Sequence, residues 1–113
     1  VSDIDLPALV DLLGPTLVAT ASGTRDRREL WRWLDDPSYM PPEAQERLTT
    51  VADFVDIFRG KGESDDVIRA SFIGAWPETD GRAPFMVIRQ GGTQDRIGLL
   101  EVASRVAYDG GGF

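Results

Sequence analysis

The 113-residue chain contains no cysteine and no histidine. Without cysteine there is no disulfide framework, thiolate nucleophile, iron–sulfur cluster or cysteine-ligated zinc. Without histidine the chain lacks the commonest zinc ligand and the side chain most often used for proton transfer near neutral pH. Cationic charge is also scarce: 12 Lys+Arg face 19 Asp+Glu, a net charge of −7. That balance argues against strong sequence-blind nucleic-acid binding, which depends on neutralising phosphates. Apolar runs are only a handful of residues long, far short of the roughly 20 needed to span a bilayer, so no membrane span is expected. Val1-Ser2-Asp3-Ile4-Asp5 is acidic where a signal peptide would be basic, and the expectation is a cytoplasmic protein. Gly60-Lys61-Gly62 and Gly91-Gly92-Thr93 lack the preceding strand and the Gly-Lys-Ser/Thr ending of a phosphate-binding loop. What remains is carboxylate, Ser/Thr and Lys/Arg chemistry, and no catalytic group, metal or cofactor is expected.

Against these absences stands a 42% hydrophobic share with three Trp, five Phe and two Tyr, enough for a core in one small domain. Proline and glycine punctuate the chain as helix starts and stops do. The pattern predicts helices from Pro7 to Gly14 and from Pro15 to Gly23. A third follows over Arg25–Asp35, with Thr24 as its N-cap and Leu30, Trp31 and Leu34 as its buried stripe. Asp35-Asp36-Pro37-Ser38-Tyr39 reads as a turn. The longest helix is predicted from Pro42 to about Arg59, where Ala44, Leu48, Val51, Val55 and Phe58 recur every three or four residues. Phe54 and Ile57 widen that stripe, so this helix must be covered from two sides, as a spine between an N-terminal and a C-terminal half. Ser64 caps a fifth helix that ends at Gly74, with Val67, Ile68, Phe72 and Ile73 expected to bury. After an irregular loop over residues 75–81, Phe85-Met86-Val87-Ile88 reads as helix or strand; with no partner strand in sight, helix is favoured. A final helix runs from Thr93 to about Tyr108, followed by Asp109-Gly110-Gly111-Gly112-Phe113. The expected architecture is all-α with about seven short helices. Residues 1–62 form an N-terminal module with its spine helix, and residues 63–113 form a C-terminal helical unit.

Two short helices joined by a glycine-containing turn, the second carrying Arg25, Arg28 and Arg32 on one face, are the ingredients of a helix-turn-helix. The same pattern is also that of a solvated helix face with local Arg–Glu pairs. Residues 1–36 carry four Arg against seven acids, so local charge does not favour DNA. Trp76, in a Pro/Gly-rich loop, reads either as a lid on the core edge or as an exposed interface anchor. Among carboxylates, Asp35-Asp36 and Asp65-Asp66 diverge around their helices, and only Asp53 and Asp56 share a face; solvated helix charge explains them better than acid/base or metal chemistry.

In order along the chain, Leu13-Gly14-Pro15-Thr16-Leu17-Val18-Ala19, Arg25-Asp26-Arg27, Trp31-Arg32-Trp33, a proline segment and Arg47-Leu48 resemble the degenerate helix-turn-helix of Xre/MbcA/ParS-type antitoxins. Downstream, Ile73-Gly74-Ala75-Trp76-Pro77, Gly81-Arg82-Ala83-Pro84 and Ile88-Arg89-Gln90-Gly91 resemble the toxin-binding domain of the same antitoxins. Ala103-Ser104-Arg105-Val106-Ala107-Tyr108-Asp109-Gly110 is similar to the family's closing helix. Trp76 stands where that family's loop usually has Asn, and Thr79 where it has Leu. The resemblance implies a type II antitoxin that pairs with a RES-domain, NAD-consuming toxin. Such an antitoxin blocks the toxin's active-site cleft with its C-terminal region, forms a homodimer and represses its own operon. On that reading Trp76, Arg82, Arg89, Arg105, Tyr108 and Phe113 are the candidate toxin contacts, and Arg25, Arg27, Arg28 and Arg32 the candidate operator-DNA contacts. The alternative is a stand-alone transcription regulator with no toxin partner. A cleft built for anionic NAD should be cationic, and a partner of net −7 would be steered toward it.

Overall fold

The computed structural model describes residues 4–110, with side chains described through residue 107. The described chain is all-α, with no strand. Its helices are α1 (Leu6–Leu13), α2 (Pro15–Ser22), α3 (Arg27–Asp35), α4 (Pro42–Gly60), α5 (Asp65–Ile73), α6 (Pro84–Gln90) and α7 (Thr93–Gly110), with single 3-10 turns at Pro37–Tyr39 and Pro77–Thr79. The segment around Phe85–Ile88 is helical, as favoured.

Local chemistry sets these boundaries. Proline occupies the first turn of α1, α2, α4 and α6, where its missing N–H costs nothing. The Asp5 carboxylate accepts from the Ala8 N–H at 3.1 Å, and the Ser64 hydroxyl accepts from the Val67 N–H at 3.3 Å. Gly23 ends α2 in the left-handed region, at φ 91°, with the guanidinium of Arg47 2.9 Å from where a Cβ would stand. The cap of α3 is Asp26 and not Thr24: Asp26 Oδ1 accepts from the Arg28 N–H at 2.9 Å. The Thr24 hydroxyl is spent one step earlier, accepting from the Asp26 N–H at 3.3 Å, which leaves Arg25 in the turn and outside the helix.

The core is one continuous apolar cluster drawing on both halves of the chain. Helix α4 is its spine, packing against α2, α5, α6 and α7. α2 from the first half also packs directly on α6 from the second, so the N-terminal and C-terminal units share this core. Around one end of the spine the aromatics interlock: Phe54 stacks on Phe58 at 4.9 Å between ring centroids and meets Phe72 at 5.4 Å and Trp76 at 5.7 Å. Each such ring contributes about 1.5–3 kcal/mol through burial, with smaller gains from tilted ring contacts.

The short helices depart from their simplest periodic reading. In α3 the buried residues are Leu30 and Trp33, whereas Trp31 is 47% exposed. Two tryptophans two residues apart cannot both face inward on a helix, and it is the second that joins the core cluster. In α5 only Ile68 and Phe72 bury, four residues apart; Val67 and Ile73 face solvent. The buried stripe of α7 is Leu99, Ala103 and Ala107, leaving Ile97 46% exposed.

Candidate functional site

The α2–turn–α3 unit has the sequence of elements expected of a helix-turn-helix, but three of its four arginines are engaged within the unit. Arg28 grips the Asp26 carboxylate, with a closest approach of 2.8 Å, while the same carboxylate caps the helix. This holds the Asp26 carboxyl below the usual carboxylate range, through the side-chain hydrogen bond from Arg28 first and the backbone bond from its N–H second. Arg32 pairs with Glu29 at 3.9 Å and lies 6.0 Å from the centre of the Tyr39 ring. Arg27 donates to the Thr16 hydroxyl at 3.2 Å, tying α3 to the start of α2. Arg25 stands exposed in the turn. All four remain at the surface, and the charges of Arg28 and Arg32 are matched by neighbouring carboxylates.

The C-terminal positions divide sharply. Trp76 is only 7% exposed, its ring among Phe54 and Phe58 and its Nε1–H donating to the Ser71 carbonyl at 3.0 Å. That carbonyl lies in the last turn of α5, where helical carbonyls lack partners in their own helix. Of the two readings of Trp76, the lid on the core is the one seen, and the exposed anchor is not. Arg89 is likewise structural in its contacts: its Nη1 donates to Thr20 O at 2.8 Å and Thr24 O at 3.2 Å, pinning α6 to the C-terminal end of α2. Arg82 is exposed and donates to Thr79 O at 3.3 Å within the loop that leads into α6. Arg105 is exposed on α7. The side chain of Tyr108, and Phe113 altogether, lie outside the described residues.

Sequence reasoning missed an internal use of arginine. Arg69 donates from Nε to the Leu12 carbonyl at 2.9 Å, joining α5 to the end of α1. Arg96 is only 9% exposed and reaches the Gly91 carbonyl at 3.1 Å and Glu46 at 3.2 Å, joining α7 to α4. With Arg89, these side chains supply charged donors to helix ends and loops that short helices leave unsatisfied. The signal was present as arginines on largely apolar helix faces, but apart from the Gly91 carbonyl their targets are tens of residues away in sequence.

A second missed feature is an open groove of about 730 Å³ bounded by the start of α1, the end of α3 with its following 3-10 turn, the first half of α4 and the first half of α7. Leu6, Trp33, Met40, Ile97 and Leu100 give it an apolar lining, with Thr50, Thr93 and the Arg96–Glu46 pair among its polar groups. Trp33 is 2% exposed, and its buried Nε1–H meets no acceptor among the described residues. An unmatched buried N–H is costly, and native structures hold few of them.

The carboxylate clusters behave as charge on helices. Asp65 pairs with Arg59 at 3.3 Å and Asp66 with Arg69 at 3.0 Å. Asp36 holds the following turn by accepting from Ser38, whose hydroxyl and N–H lower its carboxyl below the usual range. Asp53 is pushed the other way, by burial first and by the adjacent Asp56 charge second. Among the described residues no group of three or more carboxylates could hold a metal ion, and no helix is long and apolar enough to cross a membrane. Compared with family models, with curated proteins and with solved structures, the chain has no match.

Proposed function

We propose that the chain is the antitoxin of a type II toxin–antitoxin pair, which binds a RES-domain, NAD-consuming toxin and occludes its active site with the C-terminal region. The observation that carries this reading is the order of the family-like motifs from about Leu9 to Phe113, on a chain that is all-helical as the resemblance implies. A non-enzymatic role in the cytoplasm is part of the proposal, because inhibition by occlusion needs shape and charge and no reacting group. The net charge of −7 suits a partner whose cleft is cationic for an anionic dinucleotide. Within the C-terminal half, Arg82 and Arg105 are the exposed contact candidates, with Tyr108 and Phe113 beyond them along the chain. Trp76 and Arg89 would act indirectly, by holding the loop and α6 in place.

Homodimerisation and repression of the chain's own operon complete the proposal. Two copies of the Arg25, Arg27, Arg28 and Arg32 surface would be needed to offset the acidity of one chain. The alternative, a regulator acting without a toxin, shares this surface and lacks the protein partner.

Co-expression with the product of the adjacent gene tests the central claim. A stable complex that inhibits the neighbour's NAD consumption, weakened by Arg82→Glu together with Arg105→Glu, is the expected result. A chain that elutes alone at micromolar concentration beside a RES-domain neighbour overturns it. Salt-dependent promoter binding weakened by Arg28→Ala, without any such complex, selects the alternative.

A further inference from the structure

The groove between α1, α3, α4 and α7 goes beyond the toxin-binding reading, which assigns contact to the C-terminal tail, and its argument does not rest on that reading. We infer that this groove docks a basic amphipathic helix from another protein. The inner wall is apolar, with Trp33, Leu6 and Met40 buried and Leu100 half-buried. The mouth is apolar as well: Ile97 is 46% exposed on one side, and Pro37 lines the other. A small solute inside would leave that mouth in water. A helix presenting apolar side chains at positions i, i+3, i+4 and i+7 covers both together.

Charge then selects the kind of helix. Glu46 lines the groove but is paired with Arg96 at 3.2 Å. The rim charge left for a partner is that of Glu43, exposed one turn before Glu46 on α4, and Glu101, exposed one turn after Ile97 on α7. The cations nearby are already matched: Arg96 by Glu46, and Arg32 by Glu29. An apolar trough with a carboxylate rim is complementary to a helix whose Leu-like stripe is flanked by Lys and Arg. A second copy of this chain is the poorer occupant, because at net −7 it brings carboxylates to a carboxylate rim.

The experiment uses the full chain and three synthetic three-turn peptides. One is a Leu/Lys amphipathic helix, one has the same composition scrambled so that no apolar face forms, and one carries Glu in place of Lys. The inference expects the Leu/Lys helix to bind at physiological salt, with amide shifts concentrated at residues 31–50 and 93–100. It expects Ile97→Asp to weaken binding by roughly tenfold or more. It also expects Glu43→Lys with Glu101→Lys to weaken it by about threefold or more, in a salt-dependent way. All three changed positions are exposed, and an unchanged helical circular dichroism spectrum confirms each variant's fold. Equal binding of the scrambled peptide reduces the effect to net charge and overturns the inference. So do equal binding of the Glu peptide, shifts elsewhere on the molecule, and indifference to Ile97→Asp. Because no toxin is present, failure here leaves the antitoxin proposal standing, and failure of the toxin complex leaves this one standing.

Discussion

Trp76 and Trp33 are both almost fully buried, yet they sit in regions of opposite character. Trp76 belongs to a cluster in which every ring meets another ring and its own N–H finds the Ser71 carbonyl. Trp33 lies against an open groove, and its N–H finds nothing among the described residues. The first region is complete as folded. The second carries an unmatched buried N–H and, beside it, exposed apolar surface, and the apolar surface is where folding leaves free energy for another molecule to recover. The difference separates stability from binding within one continuous core.

The sharpest way to break this comparison is truncation on each side. Phe54→Ala removes the ring on which Phe58, Phe72 and Trp76 all pack, and should cost about 3–5 kcal/mol in denaturant unfolding. Ile97→Ala, on the mouth of the groove, should change stability by less than about 0.5 kcal/mol. Comparable losses at both sites would remove the distinction. A finer version exchanges each tryptophan for phenylalanine, which takes away similar volume at both positions. Trp76→Phe also strands the Ser71 carbonyl, whereas Trp33→Phe discards an N–H that has no acceptor. Trp76→Phe should therefore be the more destabilising by about 1 kcal/mol. Equal costs would mean that the Trp33 N–H is satisfied in solution.

Which parts of this were legible in the sequence follows from the range of the forces involved. Proline and glycine act on the backbone within one turn, so the starts at Pro15 and Pro42 and the stop at Gly23 could be read directly. The long spine was legible because its stripe repeats over about four turns, from Ala44 to Phe58. On the nine-residue α3, periodicity could not choose between Trp31 and Trp33, and packing against later elements made the choice. Trp76 was correctly bracketed as a lid or an anchor, but its acceptor and its ring partners decide between the two. Arg69 and Arg89 bond to carbonyls of other elements and Arg96 to the Glu46 carboxylate, each across fifty or more residues, and no local pattern encodes such a target. The groove was illegible for the same reason, being assembled from four separate elements.

The smallest expected effect comes from acid, which should act on the two regions with opposite sign. Asp26 and Asp36, at the two ends of the helix that carries Trp33, have carboxyls lowered by bonds from Arg28 and Ser38. A lowered folded-state pKa means that their contribution is present above the ordinary carboxylate value, about 3.9, and is lost as pH falls through the folded value. Asp53, next to Phe54 on the spine, has its carboxyl raised by burial and by Asp56, so ionising it opposes folding. Its contribution is fullest below the ordinary value and is lost as pH rises through the folded one. Between pH 5 and pH 3, amide exchange corrected for intrinsic rates should therefore quicken first in α3 and the Pro37–Tyr39 turn, while the middle of α4 stays protected. At pH 7, Asp53→Asn should raise the melting temperature slightly and Asp26→Asn should lower it. The Asp53 gain should vanish in acid as the wild-type carboxyl itself becomes neutral. If Asp53→Asn instead destabilises at pH 7, the Asp53 carboxylate is matched in the folded chain, and the opposition between the two regions does not extend to their charges.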